Sequence, residues 1–349
     1  MFFGKMSLLI TGKGQQKVNS VLLTGCYFVS LPVWRLSVIL EVGVITMMRK
    51  MTQLPGGIIA VFSDIHSNYH ALKACFEDAK GAGATGFVFL GDYVSGLADP
   101  VKTLDLVYEI CDRYPSVCIQ GNRERYMLNH KNGSSVLTKA LHTASYLFTY
   151  ENLREKDLAF FASLPIFDVI TVGGVSVEIA HATKFEDRRY FEKGDGYIGT
   201  VFGQMEAAYL LTGHSHKQYI QSEQGKTIMN PGAVGLPLGA DGRAQYALLD
   251  VSSEGVDCRM RQVRYDFAPM IRAQFQSGLV DEAKYWAISD LYAAITGKEY
   301  TKLLLDHVYR CAEERKDALC DEQVWRSSAL KLGLHFTEEE ILHFLEKES

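Results

Sequence analysis

Apolar positions in the first part of the chain fall into two patterns that alternate. Ile58 to Phe62 is an unbroken apolar run of the length of a buried strand. From Tyr69 to Lys80 the apolar residues Ala71, Leu72, Cys75, Phe76 and Ala79 recur at helical spacing, and Gly81 and Gly83 break the helix. Phe87 to Leu90 predicts a second short strand. Asp99-Pro100 reads as a helix start, Asp as cap and Pro in the first turn, with the helix running to about Arg113. Val117 to Ile119 predicts a third strand, and residues 123 to 163 read as helices. Phe167 to Val172 and Val175 to Ala180 form a hairpin about Gly173-Gly174. A charged, aromatic loop over 184–197 precedes a helix to about Ala207, and Tyr209 to Thr212 is a further strand. Tyr219–Gln221 with Thr227–Met229, then Tyr246–Val251 with Cys258–Val263, complete a β-rich part. After Asp266 the periodicity is helical to the end, with few Gly or Pro. The expected organisation is therefore an extension over 1–55, an α/β domain over 56–266 and a helical region over 267–349, serving as scaffold or contact surface.

Strand–helix alternation implies parallel pairing, and parallel α/β sheets place ligands beyond the carboxyl ends of their strands. Three such ends here carry a polar residue: Asp64, Asp92 and Asn122. Later strands end at His181 and at His214 and His216, and His66 lies two residues past Asp64. Four of the ten histidines thus sit just past an apolar strand. A lone histidine is usually a satisfied core or surface residue, but four at equivalent ends, with two Asp and an Asn, suit a divalent transition-metal site.

Bulk properties narrow the field. The chain has 349 residues, 47% hydrophobic and 22% charged, which is ordinary for a soluble protein larger than one average domain. A formal charge of -5 leaves no footprint for duplex nucleic acid. The seven cysteines are dispersed with no Cys-x-x-Cys, which argues against a disulfide framework or a thiolate zinc site and for a reducing, cytoplasmic setting. Val18 to Trp34 carries no charge and follows Lys5, Lys13 and Lys17, an outline shared with anchors and signals. Pro32, Arg35 and Glu41 interrupt it short of the ~20 residues a spanning helix needs, so no stable membrane insertion is expected.

Taken together, the blocks Asp64-Ile65-His66, Gly91-Asp92, Gly121-Asn122-Arg123-Glu124, His181 and Gly213-His214-Ser215-His216 resemble the calcineurin-like metallophosphoesterase superfamily. All five occur in order within residues 58 to 264, and Asn230-Pro231-Gly232-Ala233-Val234-Gly235 resembles its small bacterial phosphodiesterase branch. The resemblance implies a four-layer α/β sandwich, two mixed sheets flanked by helices, here with a C-terminal helical extension. It also implies two divalent metals (Mn, Fe, Zn, Co or Ni) bridged by Asp92. One would be held by Asp64, His66 and His216, the other by Asn122, His181 and His214. A hydroxide between metals about 3.5–4 Å apart would attack phosphorus in line.

One position departs from the family pattern. Many members carry His where Arg123 stands, as general acid or phosphate contact, with the following acidic residue orienting it. A guanidinium grips phosphate but donates no proton near neutral pH. Asn122 and Arg123 are thus the expected substrate contacts, and Arg123 and Asp92 the catalytic ones, with the source of the leaving-group proton open. Weaker candidates are His70, His130 and His142 as acids near substrate, Asn68 as a loop anchor, Gly232 and Gly235 as a tight turn beneath the metals, and Tyr190, Phe191 and Tyr197 as packing residues or a base platform. The expected activity is hydrolysis of a small phosphodiester, a nucleotide among the options. The alternatives are a phosphomonoesterase or phosphoprotein phosphatase, or a non-catalytic scaffold of the same fold.

Overall fold

Each of the first strands has two apolar faces, and the fold uses both. The computed structural model describes residues 53–252, 255–315 and 317–348. The expectations for residues 1–52, extension or anchor, lie outside the described residues. Eleven strands are described: β1 (Gln53–Leu54), β2 (Gly57–Phe62), β3 (Gly86–Phe89), β4 (Ser116–Cys118), β5 (Phe167–Val172), β6 (Val175–Ala180), β7 (Tyr209–Leu211), β8 (Gln218–Glu223), β9 (Lys226–Pro231), β10 (Ala244–Ser252) and β11 (Gly255–Val263). They form two mixed sheets, ordered β11-β10-β2-β3-β4 and β1-β5-β6-β7-β9-β8. β2, β3 and β4 are parallel neighbours, as their alternation with helices requires.

The alternating side chains of the sheets define the layers. Ile59, Val61, Val88 and Leu90 point inward against Ile170, Val177, Ile179 and Leu211 of the second sheet. Their neighbours Ala60, Phe62, Phe87 and Phe89 point outward, under α1 (Tyr69–Gly81) and α2 (Pro100–Arg113). Three helices, α3 (Asn122–Lys131), α4 (Ala144–Glu151) and α5 (Glu155–Ser163), follow β4. On the far side, α6 (Ile198–Gln204) packs Ile198, Val201 and Phe202 onto Ala180, Leu210 and Ile228. The result is the four-layer sandwich that the resemblance implied. Because both faces of β2 and β3 are covered, they read as continuous apolar runs rather than alternating ones.

The change of character at Asp266 is a helix cap. Its carboxylate accepts from Ala268 N at 2.9 Å and starts α7 (Phe267–Gln276). There follow α8 (Leu279–Thr296), α9 (Tyr300–Glu314), α10 (Glu322–Lys331) and α11 (Glu338–Glu348). These helices bury Trp325, Leu291 and Ile288 together with Ala144 and Phe148 of α4, and with Leu97 and Leu236 from two loops at the sheet edge. The helical region is thus seated on the loops that carry the site.

Two local expectations need correcting. Asp99 precedes α2, but its side chain makes no capping bond; it pairs instead with Lys102 Nζ at 2.7 Å and lies 3.8 Å from His70 Nε2. The second sheet also reaches back to Gln53–Leu54, which pair in parallel with Thr171 and Val172.

Candidate metal centre

The seven strand-end residues come from both sheets and meet at one edge. Past β2 and β3 the loops are tied together by backbone bonds, Ile65 N to Asp92 O at 2.8 Å and His66 N to Asp92 O at 3.0 Å. The second sheet joins through Gly213 N to His181 O at 2.8 Å, and His214 N donates to Asp64 Oδ2 at 3.0 Å. Glycine is required where the chains touch: a Cβ on Gly121 would sit 2.2 Å from Asp92 Oδ1, and one on Gly235 1.8 Å from Ile65 O. Gly232 and Gly235 thus lie in a tight turn, with Gly235 N donating to Asp64 O at 2.9 Å.

Five of the seven, Asp64, His66, Asp92, His214 and His216, have positive φ between 51° and 65°. Non-glycine residues rarely adopt this region, and such strain persists where surrounding structure enforces it, often at functional sites. It turns successive side chains of a tight loop toward one space.

The side chains fall into two groups whose ligand-type atoms lie within 4.8 Å of one another: Asp64, His66 and His216; and Asp92, His181 and His214. Asp92 Oδ2 is 3.7 Å from His66 Nε2 and 3.4 Å from His181 Nε2, so one carboxylate oxygen faces both groups. Asn122 Oδ1 lies 3.1 Å from His181 Nε2, on the side of the second group. His181 and His216 give Nδ1–H to the carbonyls of Leu90 and Leu236, both at 2.8 Å, which leaves each Nε2 facing the pocket. Asp64 Oδ1 is buried without a hydrogen-bond partner. An orphaned buried carboxylate oxygen, oriented imidazoles and mixed N/O donors fit divalent transition metals.

The electrostatics agree with this fit. Burial disfavours the ionised form of Asp64 and Asp92, yet the neighbouring His216 and His181 hold both carboxyls well below the usual carboxylate range. Burial pushes His66 down to about 3 and His214 to about 4. His181 is raised to about 10 against the cost of burial, chiefly by Asp92, and His216 is raised by Asp64. Two buried carboxylates thus draw positive charge to the centre.

Arg123 borders the pocket. Its backbone N donates to Asp92 Oδ1 at 2.8 Å, its Nε is 3.5 Å from Asp92 Oδ2, and its side chain is 21% exposed. The guanidinium donates to the Tyr146 hydroxyl and lies 5.0 Å from that ring. Glu124 does not orient it: its carboxylate accepts from Gly121 N, Asp92 N and Tyr93 N at 2.8–2.9 Å, bracing the loops instead. Among the weaker candidates, Asn68 caps α1 through Ala71 N and holds Gly235 O. His70 faces Asp99, and His130 accepts from Leu137 N and packs on Tyr150. Phe191 is buried and Tyr197 packs beside it, whereas Tyr190 is 44% exposed and donates to Glu192.

Sequence reasoning missed a wall formed by α4 and α8. Trp286 of α8 packs edge-on against Tyr146 of α4, with centroids 5.3 Å apart. One turn on, Asp290 is buried, and the charges of Arg123 and His216 pull its carboxyl toward the ionised form. Its signal was a single carboxylate within the otherwise uncharged run Tyr285–Ile295.

Residues 58–254 match the calcineurin-like phosphoesterase superfamily domain, more than half of the chain. The chain belongs to that superfamily. An uncharacterised protein of Methanocaldococcus jannaschii is 27% identical over 224 residues, which cover 60% of this chain and 88% of the relative. A metallophosphoesterase from Sphaerobacter thermophilus superposes with a TM-score of 0.57 at 20% identity, over 69% of this chain and 99% of that one. A hypothetical protein from Pyrococcus horikoshii gives 0.59 at 16% identity with the same coverage. The two structures share the calcineurin-like phosphoesterase fold with this chain.

Proposed function

We propose that this chain hydrolyses phosphate esters, phosphodiesters foremost, with two divalent transition-metal ions held by Asp64, His66, Asp92, Asn122, His181, His214 and His216. The observation that carries the reading is Asp92 Oδ2, which faces both imidazole groups and lies 3.5 Å from the Arg123 guanidinium. A phosphate at this point would meet metal on one side and arginine on the other. When bound, such a metal pair polarises phosphoryl oxygens and makes water acidic enough to serve as nucleophile near neutral pH.

The chain's own groups do the rest. Asp64 and Asp92 would supply the anionic charge that divalent cations require, and Asp92, near both imidazole groups, would serve both. The carbonyls of Leu90 and Leu236 keep Nε2 of His181 and His216 aimed inward. Arg123, pinned by its backbone bond to Asp92, presents N–H donors to the phosphoryl oxygens. Burial opposes its charge, but Tyr146 and Asp92 keep it protonated.

Two features favour a diester over a monoester. The Asn230–Gly235 segment resembles the phosphodiesterase branch, and a single arginine matches the single negative charge of a diester. The dispersed cysteines suit a cytoplasmic location, and no helix among the described residues is long and apolar enough to cross a membrane. A scaffold role is disfavoured by the complete donor set. The test is titration of the purified chain with Mn, Fe, Zn, Co and Ni, followed by assay on bis-p-nitrophenyl phosphate and p-nitrophenyl phosphate. Metal-dependent turnover, faster on the diester, is expected; no turnover with any of these metals would sink the reading.

A further inference from the structure

Breaking a P–O bond to a poor leaving group needs a proton donor, and the strand-end residues offer none. Arg123 holds its proton throughout the neutral range, and the four imidazoles serve the metals. Asp290 stands across from Arg123 on a different element. It lies on α8, 4% exposed, in the helix that packs against α4 beside the pocket. Its Oδ1 accepts from Thr301 Oγ1 at 2.5 Å. Its Oδ2 packs on Gly96, in the loop after Asp92, where a Cβ would come within 3.1 Å. The charged and titratable groups whose fields reach it are Arg123 of α3, Tyr146 of α4 and His216 beyond β7. Through Trp286 and Tyr146 its helix reaches Arg123, and through Gly96 its carboxyl borders the loop that carries Asp92, which puts a buried acid beside the phosphate site.

We propose that Asp290 donates the proton to the leaving-group oxygen. As the P–O bond breaks, its electron pair stays on the departing oxygen. The Asp290 O–H bond breaks in turn, its proton passes to that oxygen, the alcohol leaves, and the carboxylate regains a proton from solvent. Burial pushes this carboxyl up to about 6, against the pull of Thr301, Arg123, Trp286 and His216. An anionic substrate on Arg123 offsets that cation and raises it further, toward a working pH near neutrality.

This inference rests on the phosphodiesterase reading, so the test uses two diesters. The Mn-loaded full chain and Asp290→Asn are compared on bis-p-nitrophenyl phosphate, whose leaving group needs no acid, and on diphenyl phosphate, whose leaving group does. The ratio of diphenyl to bis-p-nitrophenyl turnover should fall by about 10²-fold or more in Asp290→Asn, the size of a general-acid contribution. Metal content and Tm should be unchanged. Wild-type turnover of diphenyl phosphate should fall as pH rises through the Asp290 pKa, and that limb should vanish in Asp290→Asn. Thr301→Val keeps the carboxyl but removes a bond that favours its anion, so it should move the limb to higher pH even if Asp290→Asn folds poorly. An equal loss on both diesters, or a limb unmoved in Thr301→Val, overturns the proposal. A wild type that turns over neither diester removes the parent reading as well.

Discussion

The strand-edge pocket and the helical wall beside it are assembled by different means. Each pocket residue lies within a few positions of a strand, and loop-to-loop backbone bonds such as Ile65 N to Asp92 O hold it in place. Tyr146, Trp286 and Asp290 instead meet through helix packing, between segments far apart in the chain. Sheets of parallel strands fix their edges rigidly, which suits metal geometry. Helices packed on loops can be exchanged without disturbing that geometry, which suits substrate choice. On this view the edge decides that phosphate chemistry occurs, and the wall decides which ester is served.

The sharpest way to break this division is at Asp92. Replacing it by Asn removes the anionic oxygen that faces both groups, so kcat should fall ~10³-fold or more. Metal content measured by elemental analysis should fall with it, and Mn should no longer raise Tm. A variant that keeps both metals and full activity would show that the edge is not the metal centre. Arg123→Ala should cost about 10²–10³-fold in kcat/KM, the size of losing one preorganised donor to developing charge. Its metal content should be unaffected, which separates phosphate contact from metal binding.

Proton competition gives a third measure of the edge. His181, raised to about 10 by Asp92, is protonated at neutral pH when no metal is bound, and Asp64 raises His216 in the same direction. Metal ligation needs the free lone pair, so each proton displaced makes binding stronger as pH rises and weaker as it falls. One proton displaced from His181 corresponds to about tenfold in Kd per pH unit for the metal it would hold, hence roughly 10²-fold weaker Mn binding there at pH 6 than at pH 8. A Kd independent of pH, measured by calorimetry, would show that these imidazoles do not ligate metal.

The same division explains what the sequence revealed. β2, β3 and β4 and the polar residues at their ends were legible because strand, loop and ligand are neighbours in the chain. The helical run after Asp266 was legible too, since its period is a local signal. Its placement against the site was not: that depends on Leu97 and Leu236 joining the core of α7–α11, a contact that no local pattern encodes. Asp99 and Glu124 show a related limit. Residue type suggested a cap for one, and the family resemblance an orienting carboxylate for the other. Tertiary neighbours redirected both, Asp99 to Lys102 and Glu124 to three backbone N–H groups. Gln53–Leu54 is too short a strand to leave a period at all.

The mildest substitution probes the join between edge and wall. Tyr146 links them directly, its hydroxyl meeting Arg123 and its ring meeting Trp286. Tyr146→Phe keeps the ring packing and removes only the hydroxyl. A hydrogen bond to a charged group contributes about 1.5–3 kcal/mol, but Arg123 keeps its bond and ion pair to Asp92, so the lower end applies. The expected loss is therefore ~10-fold in kcat/KM, carried mostly by KM because a looser guanidinium weakens ground-state and transition-state binding alike. Metal content and Tm should stay at wild-type values. A loss as large as that of Arg123→Ala would mean that the arginine cannot work without the wall, and that edge and wall form a single functional unit.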